Sequence, residues 1–131
     1  MASRPVSKGM RILGALFGLT AASDLWQIVG TAIGWNDEPY LILVIHGVLF
    51  FLAAAASIAL WRARQWSVGA VVLWGVCTSA FIVALGPILA LGSAERSGLW
   101  IGAAAVLIVA LVIAAYARRQ VRGPVPGAPA A

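Results

Sequence analysis

Residues 40–61 read YLILVIHGVLFFLAAAASIALW, and this stretch decides the fold. Between its aromatic ends only His46 and Ser57 are polar. A helix rises about 1.5 Å per residue, so the run crosses the roughly 30 Å hydrocarbon core of a bilayer. A strand crossing a membrane would alternate polar and apolar positions, and this run does not. It reads as a transmembrane helix.

Outward from that run the pattern repeats. Apolar segments cover about 10–33, 67–91 and 99–117, which makes four spans with 40–61. The breaks are short: Gly34-Trp35-Asn36-Asp37-Glu38-Pro39, Arg62-Ala63-Arg64-Gln65-Trp66, and Gly92-Ser93-Ala94-Glu95-Arg96-Ser97-Gly98. Links of this length force consecutive helices to lie side by side and antiparallel. The expected fold is an all-α integral membrane protein, an up-down bundle of four transmembrane helices. The expected organisation is an N-terminal segment 1–9, a membrane domain 10–117, and a basic, proline-rich tail 118–131 read as disordered.

Composition agrees with a bilayer as solvent. Of 131 residues 63% are hydrophobic and 10% charged, and the mean hydropathy is +1.00. Soluble domains are nearer half apolar and a quarter charged, so an ordinary globular enzyme is excluded. Nine Lys and Arg against four Asp and Glu give a net charge of +5. That charge flanks the apolar runs instead of forming a stripe, so nucleic acid is not the expected partner. The expected partners are the lipid bilayer and a homo-oligomer or larger membrane complex.

The cations also predict orientation. Arg4, Lys8 and Arg11 precede the first span, Arg62 and Arg64 follow the second, and Arg118, Arg119 and Arg122 follow the fourth. With an even number of spans all of these share one side. Arg96, Asp37, Glu38 and Glu95 fall on the other. The positive-inside rule then places both termini in the cytoplasm, N-in and C-in. Trp35, Tyr40 and Trp100 on one side, and Trp61, Trp66 and Tyr116 on the other, would form the two interfacial belts. An Ala-, Gly- and Val-rich chain that prefers Arg to Lys suggests a bacterial inner-membrane protein. In size and span count it resembles small four-helix bacterial membrane proteins such as the DoxX-like group, a likeness carried by no motif.

Intramembrane polar groups are the candidate sites, because a central Asp costs roughly 2.5 to 3.5 kcal/mol to insert. Asp24 and His46 are such groups, and Gln27 shares a helix face with Asp24. Counted from the outer loop, Gln27 and His46 each lie about 9 Å deep and Asp24 about 14 Å. Gln27 is therefore expected to meet His46, with Asp24 one turn below. One reading makes Asp24 and His46 a proton-responsive site. Another makes them structural, fixing the register of two helices. A third keeps Asp24 protonated, the form that costs least in apolar surroundings.

Cys77, Thr78 and Ser79 are secondary candidates near mid-membrane, with packing or helix bridging as their expected role. Gly86-Pro87 is expected to kink the third span. Gly14 and Gly18 form a GxxxG, a surface for close helix approach. A single Cys and a single His assemble no standard zinc site, and no phosphate loop or Ser-His-Asp set is present. The expectation is thus a non-enzymatic protein without metal or cofactor. It is an accessory subunit or homo-oligomeric packing protein, with a small proton-linked carrier built on Asp24, Gln27 and His46 as the alternative.

Overall fold

The computed structural model describes residues 5–122. It is all-helical, with α1 at Lys8–Ala32, α2 at Tyr40–Trp61, α3 at Ser67–Ile88 and α4 at Ser93–Arg122. All four helices are long and apolar enough to cross a membrane. Their outward faces are as apolar as their inward ones: Phe51 and Ile101 are each 72% exposed. In water such a surface would drive aggregation, whereas lipid tails solvate it. Four such helices are compatible with a small membrane protein.

Consecutive helices are the main neighbours, with α1 against α2 and α3 against α4 in the most extensive contacts. Ser7 Oγ lies 3.5 Å from Tyr116 Oη, so the start of α1 and the end of α4 share one end of the bundle. The core sits at that end. Met10, Ala53, Ala56, Leu60, Val71 and Ala110 are fully buried there. Phe17 of α1 packs edge-on against Trp74 of α3, with ring centroids 4.8 Å apart. Small residues permit this density. Ser57 Oγ donates to the Gly14 carbonyl at 2.7 Å, and a side chain at Gly14 would press on the α2 backbone. The GxxxG surface is therefore consumed within the chain, at least at Gly14.

Each of the first three helices closes in the same way. Beyond the C-caps Ile33, Arg62 and Leu89, a residue turns left-handed and the next N–H returns to a carbonyl five residues back. The bonds are Trp35 to Gly30, Arg64 to Ala59 and Leu91 to Gly86. This is the Schellman arrangement, which satisfies carbonyls left over at a helix end. Only the first has a glycine in the left-handed place, Gly34 at φ +79°; Ala63 and Ala90 occupy the others at +48° and +52°.

Three boundaries differ by three residues or more from the sequence expectation. Ser93–Gly98 was expected in a loop but forms the first turns of α4. The reason is a one-sided cap: the Glu95 carboxylate accepts the Gly92 N–H at 2.9 Å, and the Gly92 carbonyl takes the first helical bond, from the Arg96 N–H at 3.0 Å. At its other end α4 continues to Arg122, so 118–122 is helical; the remainder of the expected tail, 123–131, lies outside the described residues. The third span stops at Ile88, not 91. Gly86-Pro87 therefore lies in its last turn, where the Pro87 carbonyl accepts the Ala90 N–H.

Candidate functional site

The polar site lies between α1 and α2, toward the end of the bundle opposite the termini. Asp24 on α1 faces His46 on α2, with Oδ1 and Nδ1 2.9 Å apart. Both side chains are mostly buried, at 12% and 16% exposure. On the far side of the imidazole, Nε2 lies 3.9 Å from Glu38 Oε2. That oxygen is buried and has no hydrogen-bond partner among the described residues. Glu38 is more open, at 29%. Phe81 of α3 stands edge-on to the imidazole, 5.7 Å between centroids, and closes the site from a third helix.

Gln27 does not join this pair. Its Oε1 accepts from Asn36 Nδ2 at 3.0 Å. The depth count placed Gln27 level with His46, whereas the structure sets Asp24 against it. Trp35 and Asn36 both donate to the Gly30 carbonyl, which folds the loop back along α1. Gly30 makes room, because a side chain there would strike the Asn36 amide. The fold-back occupies Gln27 with Asn36, and Glu38 follows it in the loop to stand by His46.

Glu38 and Asn36 were not singled out by their types or spacing. Both sit in a turn-rich hexapeptide, where Asn and Glu read as solvated loop residues. The one available signal was the shortness of the link, which restricts how far Glu38 can stray from α2.

The secondary candidates separate. Ser79 Oγ donates to the Ala103 carbonyl at 2.9 Å, bridging α3 to α4. Thr78 Oγ1 is buried without a hydrogen-bond partner among the described residues. Cys77 is a free thiol beside an apolar groove of about 330 Å³ between α2 and α3, which Val48 and Phe81 also line. A second apolar groove, about 480 Å³, runs between α3 and α4 along Val83, Trp100 and Leu107. Trp74 packs on Phe17 within the bundle, whereas Trp26 is 59% exposed and touches Trp35. No group of three or more metal-binding side chains occurs among the described residues.

Compared with protein-family models, curated proteins and solved structures, the chain matches none. The site must therefore be read from its own chemistry.

Proposed function

We propose that this small polytopic membrane protein works through a proton-responsive site, with Asp24 and His46 at its centre, as a proton-linked carrier would. The observation that carries the reading is an imidazole set between two carboxylates in an otherwise apolar membrane domain. A pair that only fixed helix register would be complete with one hydrogen bond. Here the second ring nitrogen faces a buried carboxylate oxygen that no hydrogen bond satisfies among the described residues. Imidazole is the side chain whose ordinary titration range spans physiological pH, and intramembrane acids beside it are the usual parts of proton relays.

The same proposal places the protein in a bacterial inner membrane with both termini in the cytoplasm. What supports this is the clustering of Arg and Lys at the termini end. The site then opens toward the outside.

A second reading has one observation in its favour. The two apolar grooves beside α3 are sized for the side chains of another membrane helix, as an accessory subunit or homo-oligomer would need. Asp24→Asn separates the two readings. The purified wild type in nanodiscs should take up protons as the pH is lowered, and the variant should take up fewer while eluting as the same particle. Unchanged uptake with altered assembly would instead establish the packing role.

A further inference from the structure

We propose that Glu38, His46 and Asp24 form a one-sided proton relay that begins at the first loop and ends at Asp24. The inference rests on the proton-responsive reading above and adds a path, a direction and a further residue to it. Exposure falls along the row, from 29% at Glu38 to 16% at His46 and 12% at Asp24. The two ring nitrogens are divided between the two acids: Nδ1 faces Asp24 and Nε2 faces Glu38.

That division allows transfer without a net change on the ring. With the proton on Nδ1, the imidazole donates to the Asp24 carboxylate and holds a lone pair toward Glu38. Protonated Glu38 gives its proton to Nε2, breaking its O–H bond as the N–H bond forms. The Nδ1–H bond then breaks and that proton joins Asp24. Glu38 ends as carboxylate, Asp24 as carboxylic acid and His46 as the neutral Nε2–H tautomer. One proton has moved inward, and the charge balance is kept. The 3.9 Å gap at Nε2 is closed by a rotation of Glu38.

The relay stops at Asp24 because no further carboxylate or imidazole lies toward the termini among the described residues; the buried Thr78 hydroxyl there does not titrate. Toward the termini stand Ala21, Ala53 and the Phe17–Trp74 edge contact. Thr20 bonds back to the Leu16 carbonyl, and Ser57 is spent on Gly14. The titratable groups facing His46 are Asp24 from α1 and Glu38 from the loop, while α3 presents Phe81. On α4, Arg96 donates from Nε to the Leu91 carbonyl and lies over Gly86.

A pH-jump experiment on the full chain in phosphatidylcholine–phosphatidylglycerol nanodiscs tests this. The readout is the infrared carbonyl band of protonated Asp24, identified by its loss in Asp24→Asn. Glu38→Gln should slow the rise of that band by about a hundredfold, the lower end of what a positioned acid contributes, with its final height unchanged. Glu38→Asp should restore much of the rate, which a purely structural role for Glu38 would not predict. An unchanged rate in Glu38→Gln overturns the relay and leaves the Asp24–His46 site standing. If the wild type shows no Asp24 band that changes with pH, the relay and the proton-responsive reading both fail.

Discussion

Thr78 and Ser79 are adjacent hydroxyls on α3 with opposite energetic roles. Ser79 satisfies itself on the Ala103 carbonyl, whereas the buried Thr78 hydroxyl has no hydrogen-bond partner among the described residues. Interhelical hydrogen bonds in membranes average about 0.6 kcal/mol, so Ser79→Ala should cost about that much. Thr78→Val keeps the shape and removes only the unsatisfied group, so it should be neutral or slightly stabilising. Unfolding from bicelles by steric trapping measures both. The sequence placed both residues near mid-membrane, and their difference came from helix rotation, which no spacing rule resolves. Asp24 and His46 were legible for a stronger reason: a charge-bearing group within an apolar run is expensive enough to need a partner.

Among elements, the helix ends show where sequence reasoning reached and where it stopped. Span two is bounded as expected, because an apolar run between Pro39 and Arg62 leaves little freedom. Ser93–Gly98 was misread because its composition is that of a turn, while the deciding interaction is a single carboxylate, Glu95, on one backbone N–H. The Gly30 fold-back was equally hidden, since it depends on contact between loop and helix. The caps carry a prediction. Ala63 and Ala90 hold left-handed conformations that cost a side-chain-bearing residue about 1 kcal/mol. Ala63→Gly and Ala90→Gly should therefore each raise stability by about 0.5 to 1 kcal/mol, the extra freedom of unfolded glycine offsetting part of the gain. Thermal unfolding in one detergent, compared with wild type, reads this directly.

For the whole molecule, the bundle is tightly packed at the termini end and polar at the other. Single cysteines at Lys8 and Arg122, in a Cys77→Ala background, should react with an impermeant maleimide only after spheroplasts are opened. A cysteine at Asp37 should react in intact ones. The reverse pattern would invert the site, so that it faced the cytoplasm. The four-helix architecture followed from apolar runs and link lengths alone, since few arrangements satisfy both.

Asp24 also bears on how the protein is made. The helices leave the ribosome in order, and the apolar 18-residue stretch of α1 is the weakest of the four, with a mean hydropathy of 1.5 against 2.3 or more for the others. It carries an acid whose hydrogen-bonding partner, His46, lies in the helix made next. When α1 emerges from the ribosome, that partner, only 14 residues beyond its end, is still enclosed in the exit tunnel. On the membrane reading proposed above, the α1–α2 hairpin, rather than α1 alone, is the unit that enters the bilayer with Asp24 already partnered.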